Sequence, residues 1–396
     1  MDAISWSFSM ISSDFFSRIF RIDLFQWNLR MNIKLIKRAT QLLGLFCILA
    51  AILAACSSSP ATVIATNVPA VNSVGGTYWP TEDWRTSTPE DQGMEAEKLA
   101  EMLAAIQGQH LNLHSLLVIR NGYVVSETYF GSYQQDTRRE TYSVTKSFVA
   151  TLIGIAIDKG YVDGVDHRIV DFFPERTLAN LDTQKEDMTL EDVLTMRSGL
   201  DWQEGDAAYG EMYRSPDWVQ FMLDKPMAVP PGSQFNYCSG CSHLLSAILQ
   251  QTTGMNPGDF AEEYLFKPLG ISNVVWDTDA AGIPIGGWGL QITPREMAKL
   301  GYLYLQDGQW DGQQIVSAEW VENATKRHTQ TDSDWGYGYQ WWIYPSLGAY
   351  AALGLFGQTI FVVPGSDLVI VTTAQVDGHD EIFQLIEEYI LPAIQK

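Results

Sequence analysis

An α+β fold, with one antiparallel sheet assembled from both ends of the chain and an inserted, mainly helical lobe, is predicted by three features of the sequence. Asn121-Gly122 joins two strand-like runs early in the body of the chain. Asn-Gly favours a type I′ hairpin turn and so marks an antiparallel pair. Pro364-Gly365-Ser366-Asp367 separates two further apolar runs, ahead of an amphipathic terminal segment. Between these ends the apolar residues recur with helical spacing. Strands at both ends around a helical middle do not fit a βαβ winding.

Each element has its own signal. Leu99, Met102, Leu103 and Ile106 give a helix over Met94 to Gln107. The hairpin strands run over Ser115–Arg120 and Tyr123–Phe130. Ser143 to Lys159 is a strongly apolar helix ended by Gly160. Thr189-Leu190-Glu191-Asp192 opens another with a capping-box pattern, closing near Gly199. Pro230-Pro231-Gly232 marks a break; His243–Gln251 and Asp259–Phe266 are helical. Thr293-Pro294-Arg295-Glu296 is a helix start with N-cap, Pro at N1 and Glu at N3. Thr359–Val363 and Leu368–Thr373 are the closing strands, and Asp380–Lys396 the terminal helix. No repeat of 20–50 residues is present.

The 396 residues carry 47 acidic and 25 basic side chains, a net charge of −22. Such acidity excludes a nucleic-acid surface, which needs clustered Lys and Arg. It equally argues against electrostatic docking on anionic lipid. Charge is unevenly placed, however. Residues 1–55 hold six basic and three acidic side chains, leaving the remainder at −25. From Met31 the chain has a positive segment (Lys34, Lys37, Arg38), then an apolar run from Leu42 to Ala55, too short to span a bilayer. This is the pattern of a signal peptide, and Leu53-Ala54-Ala55-Cys56 resembles the lipobox of bacterial lipoproteins. The resemblance implies an extracytoplasmic protein anchored to a bacterial membrane by a lipid on Cys56. The expected organisation is an extension over 1–30, a signal over 31–55, a tether over 56–78 and a body over 79–396, with its helical lobe at about 160–290. Met31 reads as the natural start.

Ser143-Val144-Thr145-Lys146 is the one S-x-x-K in the chain, and it opens the most apolar helix. A serine and a lysine three apart lie on one helical face, a turn from each other. A lysine in so apolar a helix is desolvated, which lowers its pKa and makes it a proton acceptor. A serine at the helix start meets the positive end of the macrodipole, which favours developing negative charge. A snorkelling surface lysine beside a capping serine is the competing reading.

Ser143-Val144-Thr145-Lys146-Ser147-Phe148 is similar to the first motif of serine β-lactamases and D,D-peptidases. The sequence resembles, over most of residues 85–390, the class C β-lactamase-related group, which includes carboxylesterases and 6-aminohexanoate-dimer hydrolases. Met188 to Leu200, Pro231 to Tyr237 and Gly357-Gln358 carry the rest of the resemblance. It implies the β-lactamase/D,D-peptidase-like fold and a catalytic set of Ser143, Lys146, Tyr237 and Ser239. In Tyr237-Cys238-Ser239, serine stands where the family's Tyr-x-Asn motif has asparagine, as in its esterase and amidase branch. The family's third motif, Lys-Thr-Gly or His-x-Gly, has its best match in Ala352-Leu353-Gly354, shortly before the strand at Thr359. Alanine there leaves no cation for a β-lactam carboxylate. By the same resemblance, the N–H groups of Ser143 and Leu355 form the oxyanion hole, near Gly357 and Gln358.

The implied activity is hydrolysis of a small ester or amide through an acyl-enzyme, with Lys146 and Tyr237 moving protons and no metal or organic cofactor. A β-lactamase or D,D-peptidase, and a non-hydrolytic binding lipoprotein of the same fold, are the alternatives. No G-x-S-x-G elbow is present for a Ser-His-Asp hydrolase, nor an H-E-x-x-H zinc motif. Cys238 and Cys241 are expected to be free and buried, with a local disulfide as the alternative. Trp335, Tyr337, Tyr339, Trp341 and Trp342 read as a single sheet strand packed on the core, or else as an apolar wall beside the acyl site.

Overall fold

The computed structural model describes residues 78–331 and 334–395. The expected extension and signal, Cys56 and all of the expected tether but Tyr78 lie outside the described residues. Helix α1 (Ala96–Gly108) leads into the hairpin of β1 (Leu113–Arg120) and β2 (Tyr123–Tyr129). Asn121 and Gly122 have φ of 52° and 74°, the left-handed pair a type I′ turn requires. After the short strand β3 (Arg139–Glu140) comes helix α2 (Thr145–Asp158). Helix α2 is buried from Thr145 through Ala156, and Gly160 follows it with φ 76°.

A largely helical stretch follows, containing helix α3 (Ser239–Thr253) and the small strands β4 (Val275–Trp276) and β5 (Leu290–Ile292). Thr189 and Asp192 form a reciprocal capping box. So do Thr293 and Glu296, which start helix α4 (Pro294–Leu305) with Pro294 in its first turn. The chain then returns through β6 (Gln309–Trp310), β7 (Gln313–Gln314), β8 (Thr329–Gln330), β9 (Gly336–Tyr337), β10 (Trp342–Tyr344), β11 (Ala349–Gly354), β12 (Gln358–Val363) and β13 (Leu368–Ala374), ending in helix α5 (Asp380–Leu385).

The main sheet has the order β2-β1-β13-β12-β11-β10-β9-β8. Its first hairpin is thus joined to the last strand, with Leu117 opposite Val371 and Val118 opposite Ile370. Helix α4 packs on β12 and β13 closely enough that a methyl group on Gly301 would stand 2.7 Å from Ile360 and from Val369. Helix α2 instead packs on α3 in the lobe, which brings the first two motifs together.

Two expectations are corrected and one strand is added. The aromatic run is not one strand: it divides into β9 and β10, and Gln340 between them has φ 60°. Ala352-Leu353-Gly354 does precede the strand at Thr359, and it also lies on a strand of its own, β11, paired with β12. Every residue of β11 is buried, so the polar/apolar alternation that would announce a half-exposed strand is absent. Cys238 and Cys241 are a disulfide, not free thiols. Cys238 caps α3 and Cys241 lies in its first turn, which sets their Cα atoms 5.2 Å apart, within bridging range.

Candidate active site

Ser143 lies in a tight 3₁₀ turn (Tyr142–Val144) immediately before α2, which begins at Thr145. Lys146 is in the first turn of α2, with only 1% of its surface exposed. Its Nζ is 2.9 Å from Ser143 Oγ, 2.9 Å from Ser239 Oγ and 2.8 Å from the carbonyl oxygen of Gly287. Burial pulls the lysine from its usual 10.5 down to about 7, against the opposing pull of the Glu204 charge. A surface lysine snorkelling into solvent is therefore excluded.

Tyr237 precedes α3, and its phenol interacts with the Ser143 side chain, which opposes the effect of its burial. Burial raises its phenol well above the ordinary range, so it is neutral and can carry a proton. Its ring lies 4.8 Å from Lys146 Nζ. It stacks on Trp342 at 5.9 Å and 22°, with Tyr337 edge-on at 6.3 Å. Of the aromatic run, Tyr337 and Trp342 lie on sheet strands and pack against the Tyr237 ring. Ser239 is the first residue of α3, four residues earlier than the helical periodicity begins.

The end of β11 meets the Ser143 turn. A methyl group on Gly354 would stand 2.2 Å from the carbonyl oxygen of Thr141 and 3.2 Å from the amide nitrogen of Ser143. Gly354 has φ −124°, which any residue adopts; closeness, not conformation, selects glycine here. Leu355 follows at once, in the turn Leu355–Gly357. The residues beside the two expected oxyanion donors, Tyr142 and Phe356, have φ of 48° and 65°, and their rings pack edge to face at 5.4 Å. Such left-handed non-glycine residues store strain that the surroundings must hold. Ala352 is buried opposite Ile360. Gln358 is also buried, and its amide donates to the carbonyls of Leu355 (2.8 Å) and Ala374 (3.0 Å). It ties the turn to the sheet. Gly357 has φ 86°, and its carbonyl accepts from Thr372.

Two parts of this site escaped the motifs. Gly287, which accepts from Lys146, belongs to a loop held by a buried pair, His243 Nε2 and Asp279 Oδ2 at 3.1 Å. Burial alone would raise the Asp279 carboxyl; bonds from His243, Ile283 and Ala281 outweigh it and hold it low. The loop's Gly286-Gly287 was the available signal, since a methyl on Gly286 would stand 2.1 Å from the Ser242 carbonyl. Glu204 is the other, bonded to Ser239 through both backbone and hydroxyl.

A buried serine–lysine pair on a helix, a tyrosine from the lobe and a sheet strand closing on the serine together make the architecture of the serine β-lactamase-fold hydrolases. The family model described as Beta-lactamase matches residues 90–393, and the chain belongs to that family. It is similar to the 6-aminohexanoate-dimer hydrolase of Paenarthrobacter ureafaciens, 26% identical over 315 residues, 72% of this chain and 79% of the relative. Among solved structures, a family VIII carboxylesterase superposes with a TM-score of 0.64 at 16% identity, covering 78% of this chain and 98% of that one. The octameric penicillin-binding protein homologue from Pyrococcus abyssi gives 0.62 at 18%, covering 76% and 78%. At these identities the two structures bear on fold alone.

Proposed function

We propose that the protein is a serine hydrolase that cleaves a small ester or amide through an acyl-enzyme on Ser143. The observation that carries this is the 2.9 Å contact between Ser143 Oγ and a lysine that burial brings to about 7. Neutral Lys146 takes the proton of Ser143 as Oγ attacks the carbonyl. The N–H groups of Ser143 and Leu355 receive the oxyanion. Tyr237, whose phenol interacts with Ser143, passes a proton to the leaving group, and water activated by the same groups releases the acyl chain. Alanine at position 352 offers no cation to a carboxylate-bearing substrate, and the aromatic wall of Trp342 and Tyr337 suits a partly apolar acyl group.

A fluorophosphonate probe should add once to the wild type, at Ser143, and not to Ser143→Ala, as read by intact mass. Absence of an adduct on the wild type overturns the reading. Hydrolysis of nitrophenyl esters without turnover of a chromogenic cephalosporin is the expected pattern; cephalosporin turnover at comparable rates would favour the β-lactamase alternative instead. For the N-terminus we propose lipid attachment at Cys56. Cys56→Ala should then move the protein from the membrane to the soluble fraction, and retention on the membrane refutes it.

A further inference from the structure

Lys146 can act as a base only if its lone pair faces Ser143, and its neighbours decide where that lone pair points. A neutral amine has two N–H groups and one lone pair. The Gly287 carbonyl can only accept, so it takes one N–H. Ser239 is ambiguous, because its hydroxyl can accept from Lys146 or donate to it. If it donates, it occupies the lone pair and the base is lost.

We propose that Glu204 is a positioning residue that fixes the polarity of the Ser239 hydroxyl and so keeps the lone pair of Lys146 for Ser143. The inference rests on Lys146 being the base. Glu204 is surrounded by donors. One oxygen accepts from Ser239 Oγ at 2.5 Å and from the Tyr209 hydroxyl. The other accepts from the Ser239 N–H at 3.0 Å and from Trp202 Nε1 at 2.5 Å. A carboxylate has no proton to return, so the Ser239 proton turns toward Glu204. Ser239 Oγ is then left as an acceptor for Lys146, at 2.9 Å. The remaining N–H of Lys146 thus goes to Ser239, and the lone pair meets the Ser143 hydroxyl. When Ser143 attacks, its proton moves to Lys146 Nζ and no other bond in the chain must reverse.

The substitution Glu204→Gln separates this role from packing. An amide nitrogen cannot sit against the N–H groups of Ser239 and Trp202, so the new side chain must turn its oxygen to them and its NH₂ to the two hydroxyls. Ser239 then accepts from the amide, and its proton is released toward Lys146. The charge is lost as well. Glu204 favours the ammonium form of Lys146, so its removal lowers the lysine's titration point. The other titratable groups facing this cluster are Tyr209, Tyr237 and Tyr337, all of them phenols that burial keeps neutral.

The test is the pH profile of kcat/KM for a nitrophenyl ester in wild type, Glu204→Gln and Glu204→Asp, with phosphonate labelling of each. In Glu204→Gln the plateau should fall ~10–100-fold and the acid limb should move down by about one pH unit. Glu204→Asp keeps the charge, so its limb should stay where the wild type has it. In a Ser239→Ala background, Glu204→Gln should change the plateau by less than about twofold, because the effect runs through Ser239. A lower plateau in Glu204→Gln with the limb unmoved makes Glu204 a packing residue and overturns the proposal. So does an unchanged profile. If Glu204→Gln does not fold, a limb displaced in Glu204→Asp overturns it and a limb in place supports it. Wild type that fails to label at Ser143 overturns the underlying hydrolase reading, which distinguishes the two failures.

Discussion

Replacing Lys146 with methionine is expected to stop acylation of Ser143 while making the folded protein harder to unfold at neutral and low pH. The catalytic half follows from the base being lost: turnover should fall by about 10³-fold or more, and phosphonate labelling should slow in parallel. The stability half follows from linkage. Folding moves Lys146 from 10.5 to about 7, so between those values the unfolded chain binds the proton more tightly than the native one. Wild-type stability from this residue therefore rises with pH from about 7 to 10.5. The burden is full below about 7, on the order of a few kcal/mol, and gone above 10.5. Methionine has a similar volume and no charge to desolvate. Urea midpoints of the two proteins should differ most near pH 6 and converge toward pH 10. A wild type more stable than Lys146→Met at pH 6 would show that the contacts to Ser143, Ser239 and Gly287 outweigh desolvation.

Gly354→Ala is expected to cost nearly as much activity by a different route. Nothing in the backbone angles of Gly354 resists a methyl group, but the Thr141 carbonyl at 2.2 Å does. Both atoms are fixed to backbone, so relief requires β11 to withdraw from the Ser143 turn. Withdrawal separates the N–H of Leu355 from that of Ser143, and an oxyanion donor displaced in this way is worth about 10²–10³-fold in kcat. The overpacking itself should cost ~1–3 kcal/mol of stability. KM should change little, since the loss falls on the transition state. Gly365→Ala is the control: nothing lies within 4 Å of the added methyl group, and rate and stability should stay close to wild type. Full activity in Gly354→Ala would remove Leu355 from the oxyanion hole.

What could be read in the sequence followed from local chemistry. Asn121-Gly122, Thr189 with Asp192 and Thr293 with Glu296 each carry their signal within four residues, and each forms the turn or cap expected. Ser143 and Lys146 are brought together locally, although by a 3₁₀ turn running into α2 rather than by one continuous helix. The missing parts are those set by tertiary contact. Strand β11 is buried on both faces and so loses its alternation. Cys238 and Cys241 left free thiols and a local disulfide both open; the start of α3 at Ser239, which no spacing rule announces, puts the pair within bridging distance. Glu204 lies in a loop with no periodicity, 35 residues from its partner Ser239, and no spacing rule reaches it.

The sheet order has a consequence for biosynthesis. The strand beside β1 is β13, which ends at Ala374. Ser143 and Lys146 emerge early, Tyr237 midway, and Gly354 with Leu355 late in translation. A nascent chain therefore holds the serine and lysine long before it holds the strand that would complete the pocket, and its first hairpin has an unpaired edge until β13 is made. Contacts spanning roughly 250 positions make for slow closure. The proposed chemistry would therefore have to wait for β11 to β13, and Ser143 meets its full surroundings only when those strands pair.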